Sequence, residues 1–254
     1  MSDATLWSER YQGKIANMTP LDQALVEAFV SSFGFREPIL EIGARRVRRE
    51  GGASAGLERL FPGARVLGTD LQPGTGVDCV MNGAQLAVRE GTIGTVVTVS
   101  TLEHIWDIQG TLASINRALS DDGAVIMTSH MDKSIHAFPS DFWRFTPQAF
   151  AELLAAFPFM LVGFQGRAKQ PVNVFGIGLR QRPVDAFVRA NRFRVRLERA
   201  ITSMKTDLLL SQRIQRMRRM MLWRLFGSKS SYQALRDEFT IGWQMFPTDG
   251  NPGE

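Results

Sequence analysis

Residues Ile39 to Gly56 read ILEIGARRVRREGGASAG, and how this stretch is read decides the fold. Pro38 to Gly43 is a short apolar run of the kind that forms a buried strand, stopping on a glycine turn. A dinucleotide loop would continue with two more glycines, to seat a pyrophosphate on a helix N-terminus. Here Gly43-Ala44-Arg45-Arg46-Val47-Arg48 keeps only the first glycine, and Arg49 extends the basic run to Gly51-Gly52. Glu41, two residues before Gly43, would repel a pyrophosphate, whereas a ligand with an ammonium group and no phosphate tolerates it. A nicotinamide dehydrogenase is therefore disfavoured.

Outward from this loop, strands and helices alternate. Thr19-Pro20 opens a helix through LDQALVEAFVSSF that stops at Gly34. SAGLERLF (54–61) predicts a short helix, ARVLGTD (64–70) a second strand, 77–81 a third and TVVTVS (95–100) a fourth. A helix over 108–119 follows, then a turn at Ser120–Gly123 and a fifth strand, AVIMTS (124–129). Thr146-Pro147 opens another helix by a hydroxyl N-cap and a first-turn proline. FMLVGFQ and NVFGIGLR then read as a hairpin. Alternation of this kind predicts an α/β fold: a Rossmann-like, doubly wound, mostly parallel seven-stranded sheet with an antiparallel edge strand and a C-terminal helical extension. The expected divisions are a helical segment 1–35, a ligand-binding domain 36–180, and a basic amphipathic extension and tail 181–254.

Charge is uneven along the chain. Residues 1–179 hold 15 Lys+Arg against 18 Asp+Glu, whereas 180–226 hold 13 against 3. Phe193, Leu197, Ile201, Met204 and Leu208 recur at helical spacing beneath the arginines, and RIQRMRRMMLWRLF (213–226) has a Met/Leu/Trp side and an arginine side. Three readings of this extension stand: packing on the sheet domain or a second subunit, peripheral contact of 182–226 with an anionic membrane, or nucleic acid. The last is disfavoured, because no aromatic platform or RNA-binding module is legible. One cysteine, Cys79, excludes a disulfide framework and fits a cytoplasmic setting. The start MSDATLWSERYQGK has no apolar run of signal length, and no stretch approaches the ~18 apolar residues of a membrane span.

In an open α/β sheet the ligand lies at the carboxyl ends of the strands. Gly43, Asp70, Asn82 and Ser100 all end or follow strands. Asp70, ending the second strand, can accept both hydroxyls of a ribose.

LEIGARR, VLGTDLQPGTGVD, TVVTVSTLEHIWD and FPSDFWRFTPQAF followed by NVFGIGLR resemble the class I S-adenosylmethionine-dependent methyltransferases over residues 36–180. The resemblance is to the small methyltransferase-domain group often associated with bacterial glycan and cell-envelope biosynthesis. It implies S-adenosyl-L-methionine as cofactor. Glu41, Ile42 and Gly43 would lie at its methionine end, Asp70 and Leu71 at the ribose and adenine, Asn82 and Gly83 near the adenine amine, and Ser100 at the end of the fourth strand. Two departures stand out: amides at Asn82 and Gln85 replace an acid, and Ile93-Gly94 replaces a Phe-Asp pair.

Residues for the transfer itself must come from the loops after strands four and five. His104 is one candidate, although Glu103-His104 also reads as a helix cap. His136, His130 and Asp141 lie in a loop long enough to be a lid. Trp143 either walls the pocket or anchors that loop. No cluster along the chain has metal-ligand spacing, so no metal is expected. The acceptor implied is a small molecule or glycan, and peripheral activity at the inner membrane face is the accompanying expectation. The alternative is a non-catalytic adaptor that binds a membrane or partner through its basic helices. Oligomeric state is not legible.

Overall fold

The computed structural model describes residues 18–46, 56–136, 140–206, 217, 220–221 and 240–244. Helix α1 (Pro20–Phe33) starts as its sequence predicts. The Thr19 hydroxyl accepts the Asp22 N–H at 3.2 Å, while Asp22 accepts the Thr19 N–H at 2.8 Å, closing a capping box. Its face of Leu21, Leu25 and Phe29 is buried.

Among the described residues, eight strands form one sheet: β1 (Ile39–Ile42), β2 (Val66–Asp70), β3 (Cys79–Val80), β4 (Ile93–Val99), β5 (Leu119–His130), β6 (Phe159–Arg167), β7 (Gln170–Leu179) and β8 (Ile241–Gln244). Their order is β3-β2-β1-β4-β5-β7-β6-β8. Neighbours from β3 to β5 pair in parallel, and every pairing beyond β5 is antiparallel. Strand β7 turns back from β6 as the expected hairpin and lies between β5 and β6, so the antiparallel pairing occupies one edge of the sheet. This is the doubly wound, Rossmann-like sheet expected of a class I methyltransferase, with one strand more than the seven expected.

Alternate residues of β4 and β5 feed two cores, as the two-residue period of a strand requires. Val97 and Ile126 face α1 and α4 (Ala186–Thr206), where Phe29, Phe193 and Leu197 close the layer. Val96 and Val125 face α2 (Ile108–Ala118) and α3 (Pro147–Leu154), with Ile115 and Phe150. Thr146 caps α3 as expected, accepting the Ala149 N–H at 3.1 Å.

Other local expectations shift. The turn expected at Ser120–Gly123 lies inside β5 as a bulge: Ile93 pairs with Leu119 and Thr95 with Ala124, so the four residues between have no partner on β4. The helix expected over 54–61 is, within the described residues, a 3-10 turn at Leu57–Leu60. The third strand shortens to two residues. The departure at Gly94 has a steric cause: a Cβ there would lie 2.5 Å from the Arg36 backbone. The segment entering β1 has taken the space a side chain would fill.

Helix α4 carries part of the basic extension into the fold. Phe193, Leu197 and Ile201 are buried against α1, while Arg192, Arg194, Arg196 and Arg199 are exposed. Leu208 and nearly all of 213–226 lie outside the described residues, as do Arg48 and Arg49. No helix among the described residues is long and apolar enough to cross a membrane.

Candidate active site

The carboxyl ends of β1, β2 and β4 form a rim around Gly43. Its φ of 85° is left-handed, and a Cβ on it would lie 2.2 Å from the Thr101 hydroxyl. Only glycine fits a turn of that hand and closeness. Its N–H and that of Ala44 both bond the Thr69 carbonyl, at 2.8 and 2.9 Å.

Asp70 ends β2. One carboxylate oxygen takes the Arg45 N–H (3.2 Å) and the other the Gln72 N–H (3.0 Å), leaving each oxygen one further lone pair. Leu71 beside it is exposed. Asn82 caps a 3-10 turn, its side-chain oxygen accepting the Ala84 N–H at 3.0 Å. Gly83 is buried against Ile42 and Ile105.

Ser100 leaves β4 at a φ of 49°. Its N–H bonds Thr128, and its hydroxyl approaches Asp22 at 3.4 Å. Glu41 is the charge anomaly of this rim. Loss of solvent raises its carboxyl to about 7, Arg46 pulls it down, and Glu58 and Asp70 push it up.

The β4–β5 register Val99↔Thr128 carries a second group of side chains to the same end of the sheet. The chain has three histidines, and all three meet here. The His136 ring lies 4.9 Å from that of His104 and 5.7 Å from that of His130, edge to face in both cases. Glu103 sits beneath them, fully buried. Its Oε2 accepts the Ser129 hydroxyl at 2.6 Å, and its Oε1 lies 3.4 Å from His130 Nε2 and 4.0 Å from His104 Nε2.

Neither Glu103 nor His104 caps α2; Asp107 does, accepting the Gly110 N–H at 2.8 Å. Burial lowers the pKa of His130, while Glu103 and Asn173 oppose that. Asp141 binds Arg144 through both oxygens, at 2.5 and 2.7 Å, and accepts the His136 N–H at 2.8 Å. Those Arg144 hydrogen bonds hold its carboxyl far below the usual range. An acid so placed orients His136 but is a weak proton acceptor.

Sequence spacing gave no metal cluster, yet folding brings ligand atoms of Glu103, His130 and His136 within 4.8 Å of one another. Glu103 is the residue sequence reading passed over. Its signal was an acid just past a β-branched strand and next to one of only three histidines.

Trp143 anchors the loop, donating Nε1–H to the Ile105 carbonyl at 2.9 Å. It also stacks on Trp106 at 5.3 Å, and Trp106 meets Phe142 edge-on at 5.5 Å. Trp106 is 68% exposed. An open aromatic shelf thus stands beside the histidines.

No protein-family model matches the chain, and no curated protein does either. Among solved structures, the chain is similar to an S-adenosylmethionine-dependent methyltransferase from Archaeoglobus fulgidus. Identity is 11%, with 70% of this chain and 100% of that one covered, at a TM-score of 0.48. It is also similar to the 1,6-didemethyltoxoflavin-N1-methyltransferase of Burkholderia thailandensis, solved with bound 1,6-didemethyltoxoflavin and S-adenosylhomocysteine. There identity is 21%, covering 63% of this chain and 77% of that one, at a TM-score of 0.47. The likeness is one of fold.

Proposed function

We propose that the chain is an S-adenosylmethionine-dependent methyltransferase acting on a small-molecule or glycan-type acceptor. The observation that carries this reading is Glu41: a desolvated carboxyl two residues before a left-handed glycine, across from an acid placed for a ribose. That pairing suits a cofactor with an ammonium group and a ribose but no phosphate. Such a cofactor, when bound, supplies an electrophilic methyl group.

On the chain's side, Glu41 would meet the ammonium and give up its proton. Asp70 would accept the ribose hydroxyls on its spare lone pairs, with Leu71 beside the adenine. Asn82 offers its amide N–H groups, since its oxygen is partly used as a cap. Ser100, fixed by Thr128 and Asp22, closes the floor. The acceptor would lie over His104 and His136, with Trp106 and Trp143 under a planar or sugar ring face. Holding acceptor and methyl in line is the main catalytic demand.

Calorimetry with S-adenosylmethionine, S-adenosylhomocysteine and NAD tests this. Binding of both adenosyl ligands but not NAD is expected, with Asp70→Ala weakening it about tenfold or more. Failure of wild type to bind either adenosyl ligand overturns the reading.

Exposure of Val184, Phe187 and Val188 beside the arginines of α4 supports peripheral contact with an anionic membrane. Apolar groups at that position could enter the headgroup region while the arginines meet phosphates. A glycan acceptor carried on a lipid would share that surface.

A further inference from the structure

We propose that Glu103 Oε1, His130 Nε2 and His136 Nε2 bind one divalent transition-metal ion of the zinc type. The proton inventory carries this. Asn173 donates its amide to Gln165 at 2.7 Å, which leaves its oxygen facing His130 Nδ1 at 2.6 Å. His130 must therefore donate from Nδ1, and in a neutral ring Nε2 keeps a lone pair. That lone pair faces Glu103 Oε1, a fully buried atom that no hydrogen bond reaches among the described residues. Two acceptors confront each other in a dry site, which is costly unless a cation lies between them.

The other rings repeat the pattern. His136 Nδ1 lies 3.1 Å from the Ser134 carbonyl and 3.2 Å from Asp141, an ionised carboxylate. His104 Nδ1 lies 2.5 Å from the Ser140 carbonyl. In each ring Nδ1 has an acceptor to serve, so Nε2 is left bare. Histidines that ligate metals are oriented in this way, with the far nitrogen held by a carboxylate or carbonyl.

Distance separates an ion from a plain ion pair. A charge-assisted N–H···O bond runs about 2.7–2.9 Å, shorter than the 3.4 Å between His130 Nε2 and Glu103 Oε1. Two donors each about 2.0–2.1 Å from zinc at a tetrahedral angle stand roughly 3.3–3.4 Å apart. The gap fits an ion better than a proton. His136 supplies the third ligand from the loop, the ligand atoms of the three residues lying within 4.8 Å of one another.

Two histidines and a glutamate leave a tetrahedral ion one open position. On the methyltransferase reading, on which only this role depends, that position takes an acceptor oxygen and lowers its pKa.

Untagged full-length protein, stripped with chelator, is titrated with Co²⁺ and Zn²⁺ without cofactor. Expected are one equivalent bound and cobalt d–d absorption of a four-coordinate site, unchanged in Cys79→Ser. Glu103→Gln, which keeps an acceptor for Ser129, and His136→Ala, at a partly exposed loop residue, should each weaken binding about tenfold or more. Absence of stoichiometric binding at neutral pH, binding as tight as wild type in either Glu103→Gln or His136→Ala, or loss of binding in Cys79→Ser would overturn the site. Because no cofactor is present, this outcome is independent of whether S-adenosylmethionine binds.

Discussion

Thr128 donates its hydroxyl to Asp22 at 2.7 Å, joining residues 106 apart in sequence. The bond ties the first turn of α1 to the carboxyl end of β5, where Ser100 also reaches Asp22. The floor of the candidate cofactor cleft is thus fastened from outside the doubly wound core. Asp22 is buried, and loss of solvent raises its pKa against the bonds from Thr128 and Thr19.

Asp22→Ala should therefore cost roughly 2–4 kcal/mol, because it removes the capping box and strands the Thr128 hydroxyl. Thr128→Val, which removes the bond to Asp22 and the hydroxyl's share of the Ser100 N–H but leaves the Ser100 N–H on the Thr128 carbonyl, should cost less, about 1–2 kcal/mol. Urea unfolding midpoints of the two variants check both values, and equal losses would contradict the network.

Glu41→Gln should act oppositely on stability and on binding. The free carboxyl titrates near 4.5 and the folded one near 7. Between those values the folded chain holds a proton that the unfolded chain has lost, so stability falls as pH rises through this window. Above pH 7 the ionised group costs about 3 kcal/mol. The glutamine variant should match wild type below pH 4.5 and exceed it at pH 8, by up to that amount. At pH 6, binding of S-adenosylmethionine to wild type should release close to one proton, seen as a buffer-dependent heat. The variant should release none from this position.

How much of this was legible in the sequence depends on range. The Thr19 and Thr146 caps, the strand-ending Asp70 and the β6–β7 hairpin all rest on neighbours within a few residues, and each was read correctly. The Glu103–His130–His136 group was not, because it exists only through the β4–β5 register. Strand β8 was missed for a similar reason: Ile241–Gln244 pairs with β6 far upstream, and four residues carry no periodic signal of their own. Ser120–Gly123 looks like a turn by composition and bulges as one, yet the pairs on either side, Ile93↔Leu119 and Thr95↔Ala124, take it into β5, which no local signal announces.

Asp141→Asn tests whether the Arg144 pair holds the loop. The loss at pH 7 should be about 1–2 kcal/mol, reduced from a fully buried pair because Arg144 is 26% exposed. The folded carboxyl is depressed, so its stabilisation is present above the ordinary aspartate pKa and is lost as pH falls through the folded value. The gap between variant and wild type should accordingly stay constant from pH 7 to 5 and narrow only below about pH 4. A gap that closes by pH 5 would point to some other cause.

Helix α4 separates two roles that the basic segment combines in sequence. Ending the chain at Arg180 would strip Phe193, Leu197 and Ile201 from the core beside α1, so that truncation would report on folding rather than on the surface. Phe193→Ala alone should cost about 3–5 kcal/mol. Arg192, Arg196 and Arg199 are exposed on the same helix, and reversing all three to glutamate should shift the melting temperature little. If α4 meets an anionic membrane, that triple variant of the full chain should lose most of its flotation with vesicles containing phosphatidylglycerol, and added salt should mimic the loss. Equal flotation of wild type and variant would leave the arginines with no membrane role. The packing of Phe193 would then be the whole function of this helix.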